Sequence, residues 1–409
     1  MEIPRIPLAN LILEGRQKRI APTNSQVWNL NLDQIESGSG RVLERIMTTV
    51  DELGPSTYAF EAGTVLYSKL RPYLNKVVVA DSDGFATTEL VPLRGDPEKV
   101  YAPYLAYYLR SAEFLNFANT VVAGAKMPRM VMSEFWRYEA PLPPISEQHR
   151  IAAILDKADA LRAKRREALA QLDCLAQSIF VEMFGDPVTN PKRWAEIEMA
   201  ALFETSPIFG TMIPPTPDGG NWLSLRVANI QDWRLDLSDQ KYVNLPPNTI
   251  ERHSVKDGDL LLARAIASQE HLGKAVVATP AGRKWAFDSH LMRLRFNPER
   301  ASPEFVRHLW MTPGGRSLFL KATRRTAVQY NINTKEMNSL RLPIPPIELQ
   351  RKFVCRVEAL NSLRDRQLEA LKRMDALFSV LQHRAFRGEL KGSNVPEFVR
   401  HENDELRTN

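Results

Sequence analysis

A proline-rich run that opens onto a long proline-free stretch occurs twice in this 409-residue chain. The first copy reads PLPPISEQHRIAAILDKADALRAKRREALAQLDCLAQSIFVEMFGDP from Pro141. The second reads PIPPIELQRKFVCRVEALNSLRDRQLEALKRMDALFSVLQHRAFRGEL from Pro343. Ile145 aligns with Ile347, an offset of 347 − 145 = 202 residues, so the chain is a duplicated unit of roughly 200 residues and not a short-period solenoid. The prolines hold each start extended, and helix begins only beyond them. Glu147 and Glu348 then place an acid near the first turn, where the helix dipole favours it.

Apolar residues in the first copy fall at Ile151, Ile154, Ala158, Leu161, Ala168, Leu172, Leu175 and Ile179, with Arg165 at one seam position. Phe353, Leu360, Leu363, Ala370, Met374, Leu377 and Leu381 keep the same phase in the second copy, and Gln367 matches Arg165. Steps of three and four sustained this long are a coiled-coil signature, and a polar seam position can fix its register. A helix from Ile151 to Phe184 would run about 50 Å at 1.5 Å per residue. Its greasy stripe needs a cover, and the duplicate is the simplest one. Because the first helix leads from one globular region to the next, pairing within one chain is most simply antiparallel, with approximate two-fold symmetry. The fold expected is α+β: two pseudo-repeated mixed α/β domains joined by two long antiparallel coiled-coil helices. The boundaries are a first domain over 1–145, a helix over 146–186, a second domain over 187–346, a second helix over 347–390 and a polar tail over 391–409.

The domains read as short strands and helices between glycine and proline turns. Thr64–Leu70, Lys76–Ala80 and Glu89–Leu93 are strand-like, and a helix runs from Pro103 past Leu115 and Phe117. Lys274–Ala278 echoes Lys76–Ala80, and Pro303 opens a helix as Pro103 does. Residues 205–250 have no clear counterpart in the first half and read as an elaborated loop region, where binding function tends to reside.

A 44% hydrophobic content allows two real cores. Cys174 and Cys355 occupy non-equivalent places and suggest neither disulfide nor zinc site. No apolar run approaches a membrane span and no signal pattern opens the chain, which points to the cytoplasm. Against 48 Asp and Glu stand 54 Lys and Arg, a net charge of +6 that suits a polyanion partner.

Two variable globular regions, each followed by a PLPPxxEQ-type run and a long helix, resemble the specificity subunit of type I restriction–modification systems. MFGDPVTNPKRW, from Met183 to Trp194, resembles that family's join between the first helix and the second target-recognition domain. The second proline run departs from the pattern in having Glu348-Leu349-Gln350. The resemblance implies that each domain reads one half of a bipartite duplex DNA sequence and that the helices set the spacer. It also implies that two methyltransferase subunits dock around the helices and that restriction and translocation subunits join them. S-adenosylmethionine, ATP and Mg²⁺ would then serve the partner chains, and this chain would bind no cofactor.

The residues themselves agree. Two related readers on a strut of about 50 Å suit two sites on one face of a duplex whose turn is roughly 34–36 Å. Candidate DNA-binding residues are Lys69, Arg71 and Lys76, which cluster with Tyr67 and Tyr73, and Lys126 and Arg129 in the following loop. The matching loop of the second half carries Arg324, Arg325, Gln329 and Asn331, with 329 − 127 = 202 again. Arginine suits guanine edges and amides suit adenine. Arg264, Lys274, Arg283 and Lys284 are candidate phosphate contacts.

Neither a methyltransferase cofactor loop nor GxxxxGK[ST] is present, and no histidines pair as HxxxH. Pro217-Asp218 with Asp239-Gln240-Lys241 fits a loose PD…(D/E)xK nuclease pattern, which needs carboxylates for a metal and a lysine near the phosphate. The alternatives to a DNA-reading subunit are thus a self-contained nuclease using these residues and a coiled-coil adaptor that binds only proteins.

Overall fold

The computed structural model describes residues 3–13, 24–266, 268–325 and 330–390, with Arg324 and Arg325 described by their backbone alone. It forms two compact units: residues 1–167 together with 368–409, and residues 168–367. Each unit therefore owns one domain and one half of each long helix.

Those helices are Ile145–Phe184 and Ile347–Phe386, 40 residues each. Neither contains glycine or proline. Gly185 follows the first with φ +80° and Gly388 closes just past the second with φ +73°. Both adopt the left-handed turn that glycine accepts at no steric cost and that commonly ends a helix. Each proline run begins at the end of a short antiparallel strand pair, Glu139–Pro141 against Arg5–Pro7 and Arg341–Pro343 against Glu196–Glu198.

The buried stripe of the helices keeps most of the expected positions, departs from it at Leu175 and Leu363, and is wider. Ile151, Leu155, Ala158 and Leu169 are buried in the first helix, and Phe353, Val357, Leu371, Phe378, Leu381 and Ala385 in the second. Leu175 is 44% and Leu363 36% exposed, so neither lies in a closed seam. The residue one place on (Ala176, Arg364) is the half-buried one. Leu161, Leu172, Ile179, Leu360, Met374 and Leu377 are half-buried, and Ile154 is buried. The reason is packing at the helix ends. In the first unit, Ile151, Ile154, Leu155, Phe378, Leu381 and Phe386 join the core formed by Tyr104 to Leu109. In the second, Phe180, Phe184, Phe353 and Val357 join Phe305, Val306 and Leu309. The stripe thus serves a domain core as well as a partner helix, and is wider than a two-helix seam.

A fully buried glutamine fastens each helix start to its domain. Gln148 Oε1 accepts from Tyr101 N at 2.8 Å, while its Nε2 donates to Lys99 O at 2.8 Å and Pro143 O at 2.9 Å. Gln350 repeats this with Ser302 N at 2.9 Å, Arg300 O at 3.3 Å and Pro345 O at 2.8 Å. This accounts for the glutamine in both proline runs despite the departure at Leu349.

The domains share a topology. In the first unit Gln26–Leu30 pairs parallel with Gly84–Thr87, flanked by Met47–Thr49 and Thr57–Phe60. A second sheet places Val65–Ser68 between Val77–Val79 and Leu90–Leu93. In the second unit Trp222–Leu225 pairs parallel with Trp285–Phe287 and antiparallel with Tyr242–Val243. Leu260–Ala263 lies between Ala275–Val277 and Leu291–Phe296. Residues 205–250 therefore do have a counterpart, because Trp222–Leu225 answers Gln26–Leu30. The likeness is one of topology, with Leu30 and Ile35 answered by Leu225 and Ile230 at an offset of 225 − 30 = 195 and not 202. The helix expected past Pro103 is two, Ala102–Leu109 and Ala112–Thr120, because the Ser111 side chain caps the second. Thr312 caps Pro313–Lys321 after Pro303–Met311 in the same way.

His308, in the second unit, is 4% exposed, packs edge-on against Phe353 and meets Arg307 Nη2 at 2.9 Å. Burial, aided by Arg307 and Arg234, pulls its pKa down to about 3. Below the ordinary histidine value of about 6.5 the unfolded chain takes up a proton that the folded chain refuses, so stability falls with pH by up to about 1.4 kcal/mol per unit. Unfolding midpoints measured from pH 7 to pH 4 should fall less steeply in His308→Gln than in the natural chain.

Candidate nucleic-acid interface

Both loops singled out by the 202-residue offset are β-hairpins. In the first unit Val122–Ala123 pairs with Arg129–Met130, leaving 124–128 as the tip. Arg71 N donates to Pro128 O at 2.7 Å and Met130 N to Lys69 O at 2.8 Å, so the hairpin is stitched to the chain leaving Val65–Ser68. In the second unit Arg324–Arg325 pairs with Tyr330–Asn331, which pairs with Ala265–Ile266. Ile332 N donates to Arg264 O at 3.0 Å, which puts Arg264 where Lys69 stands in the first unit. The duplication thus carries one hairpin, on one strand end, into each unit.

The candidate cations separate into free and engaged ones. Lys126 is exposed at the first hairpin tip, and Arg71 is exposed beside it with its backbone at φ +48°. Tyr73, also exposed, flanks them, and Lys69 is half-buried. Arg71 and Lys126 form no ion pair among the described residues. Arg129, expected to face a groove, instead grips Glu89, with Nε at 3.1 and 3.2 Å and Nη2 at 2.9 Å. That fork has the geometry that suits a guanine edge, and here it is spent on Glu89. Glu89 raises its pKa further.

Lys76 and Lys274 hold the same fold position, and both turn inward. Lys76 Nζ donates to Leu32 O at 2.6 Å, and Lys274 is buried with its Nζ 3.8 Å from Asp232. Both are framework lysines. Arg264 donates through Nη1 to Ser289 O at 3.0 Å and lies 4.1 Å over the Phe209 ring, and burial lowers its pKa. Asn331 is half-buried. The side chains of Arg324 and Arg325, and Gln329 altogether, lie outside the described residues.

Arg283 and Lys284 are exposed, 5.6 Å over the Trp285 ring and 6.0 Å over the Trp222 ring, and form no ion pair among the described residues. With Asn221, Gln240 and Tyr242 they line a hollow of about 300 Å³. Those three side chains were not among the candidate DNA-binding residues. Residues from three distant segments converge here only because Trp222–Leu225 pairs with Trp285–Phe287 and Tyr242–Val243, and no local spacing announces it. Cations over indole rings beside amides suit a phosphate backbone with bases close by.

One carboxylate of the nuclease pattern is engaged elsewhere. Asp239 is bound by Arg226 Nη2 at 2.9 Å, which holds its carboxyl below the usual range. Among the described residues no three His, Cys, Asp or Glu side chains gather to hold a metal. Cys174 and Cys355 are free and exposed. No helix of the described residues is long and apolar enough to cross a membrane.

Comparison with known proteins gives the arrangement a context. Residues 50–171 match the family model for the type I restriction modification DNA specificity domain. The chain is 25% identical over 327 residues to the type I restriction enzyme EcoKI specificity subunit of Escherichia coli K12, covering 75% of this chain and 70% of that one. It is likewise 25% identical over 310 residues to the StySPI specificity subunit of Salmonella potsdam, covering 72% and 67%. Among solved structures, a chain from work on assembly and conformational transition of the type I R-M system superposes with a TM-score of 0.58 at 18% identity, covering 95% and 98%. The type I S subunit of M. genitalium gives 0.53 at 15% identity, covering 94% and 96%. At these identities the structures speak for the fold: two mixed α/β domains joined by coiled-coil helices.

Proposed function

We propose that this chain, a member of the type I restriction–modification specificity family, is the DNA-reading subunit of such a complex. Each unit reads one half of a bipartite duplex target, and the long helices set the spacer. The observation that carries this reading is the hairpin repeated at the same strand end of both units, flanked in the first by the exposed cations Arg71 and Lys126, which form no ion pair among the described residues, and complemented in the second by Arg283 and Lys284. Phosphate contacts of this kind release counterions, so affinity falls steeply with salt.

The chain supplies recognition and leaves the chemistry to others. Methyltransferase subunits, two per chain, dock around the helices and use S-adenosylmethionine; restriction and translocation subunits use ATP and Mg²⁺. The complex acts on DNA in the cytoplasm. Profiling modified bases in cells with and without this one chain tests the reading. A bipartite modified motif should vanish with the chain, and a motif that persists unchanged refutes it. Inserting one heptad into both helices should alter the spacer and neither half-sequence.

The purified chain should leave supercoiled DNA intact in Mg²⁺. Nicking that disappears in Asp239→Ala would revive the nuclease alternative.

A further inference from the structure

Two ion pairs between the long helices obey the same 202-residue offset as the duplication itself. In the first unit Arg162 Nε meets Asp375 Oδ1 at 2.7 Å. In the second Arg364 Nε meets Asp173 Oδ1 at 3.0 Å. Arg162 and Arg364 differ by 364 − 162 = 202, and Asp173 and Asp375 by 375 − 173 = 202. Each helix therefore gives one arginine and one aspartate, and each pair lies within a single unit. In an antiparallel pair facing residues have a constant sum, and both sums agree: 162 + 375 = 537 and 364 + 173 = 537.

Both arginines occupy positions of the buried stripe and are mostly covered, with side chains 15% and 16% exposed. Arg162 also meets Asp159 at 2.7 Å and lies 4.2 Å over the Phe378 ring. Asp375 takes Arg166 as well, at 3.3 Å, and Asp173 takes Arg234 at 2.7 Å. A covered guanidinium must find its carboxylate, because an unpaired buried charge is costly. The apolar stripe repeats every seven residues, so leucines alone tolerate a slide of one heptad. The arginines do not. At a sum of 530, Arg162 would face Leu368 and Arg364 would face Arg166. At 544 they would face Gln382 and Phe180. Every one-heptad slide parts both arginines from the carboxylate they meet on the other helix.

We infer that Arg162–Asp375 and Arg364–Asp173 determine the register of the helix pair and, resting on the reading above, are spacer-determining residues of this subunit. Expectation had given that part to Arg165 and Gln367. One heptad is about 10.5 Å of helix, which is about three base pairs at 3.4 Å each.

The test replaces both arginines by leucine (Arg162→Leu with Arg364→Leu), which keeps the stripe apolar. Register is read without DNA from the natural cysteines. Cys174 and Cys355 are exposed, lie on different helices and belong to one unit, so spin labels there report the slide directly. The natural chain should give one label distance, and the variant a second, resolved population. In the assembled complex, modified sites should then appear at spacers changed by about three base pairs, at a tenth or more of the natural level, with both half-sequences unchanged. A single unshifted distance in the variant overturns the register claim. A second distance with an unaltered spacer overturns its link to the target. Loss of every bipartite motif from cells carrying the natural chain would instead refute the functional reading, while the label distances still decide the register. Should the leucine variant fail to fold, Asp173→Asn with Asp375→Asn keeps side-chain shape and carries the same two readouts.

Discussion

Alanine at both Arg71 and Lys126 is expected to weaken binding of the full duplex target by about 2 kcal/mol, roughly 30-fold, when the chain is held in its complex with the methyltransferase subunits. Both side chains are exposed at one hairpin and form no ion pair among the described residues. For every phosphate that goes unneutralised, the slope of log K against log salt should also fall by about 1. Titration by fluorescence anisotropy from 50 to 200 mM salt reads both effects. If Lys126 touches a base edge, discrimination also relaxes in the half-target read by the first unit and nowhere else. Lys76→Ala is the internal control. Its ammonium is spent on Leu32 O, so the substitution should lower stability and leave the salt slope alone. An unchanged slope in the double variant, or an equal change in the Lys76 variant, would remove this hairpin from the interface.

The contrast between Lys126 and Lys76 shows what one dimension conveyed. Heptad spacing and the proline runs were legible because helix and stop signals are local, and both long helices follow them. The paired hairpins were legible because duplication printed the same basic loop twice. Which cation points outward was not. Lys76, Arg129 and Lys274 read like Arg71 and Lys126, yet their partners Leu32, Glu89 and Asp232 lie about 40 residues away in each case and come near only through the sheets. The stripe departs from the expected seam at Leu175 and Leu363 for a related reason. A leucine at 175 outranks an alanine at 176 by hydrophobicity, but the helix face is chosen by what the domain and partner helix present. Arginines at 162 and 364 were passed over because charge was read as exposure, whereas each is covered and paired with a carboxylate on the other helix. The hollow at Trp285 had no local signal, being assembled by a parallel strand pair.

Gln148→Leu should cost the first unit about 3 kcal/mol, more than any surface change in the chain. The side chain is fully buried and makes three hydrogen bonds, so leucine strands the Tyr101 N–H and the Lys99 and Pro143 carbonyls where water does not reach. Each stranded group costs about 1–3 kcal/mol before relaxation. Gln350→Leu should do the same to the second unit through Ser302, Arg300 and Pro345. Gln148→Glu separates hydrogen bonding from shape. Its carboxylate still accepts from Tyr101 but faces two carbonyls with nothing to donate, so burial and those carbonyls raise its folded pKa above the unfolded value of about 4.3. The protonated acid donates to one of them. Destabilisation should therefore be small near pH 4 and grow as pH rises through that window, levelling off once the buried acid ionises. Thermal midpoints of the glutamate and leucine variants against pH decide the matter: the gap from the natural chain should widen with pH for glutamate and stay flat for leucine. A leucine variant within about 0.5 kcal/mol of the natural chain would mean that the glutamine merely fills space. The clasp explains why a proline run and a glutamine recur together. Prolines forbid an early helix start, leaving the Pro143 and Pro345 carbonyls without helical partners, and the glutamine satisfies them while tying the helix to the loop ahead of Ala102–Leu109 or Pro303–Met311.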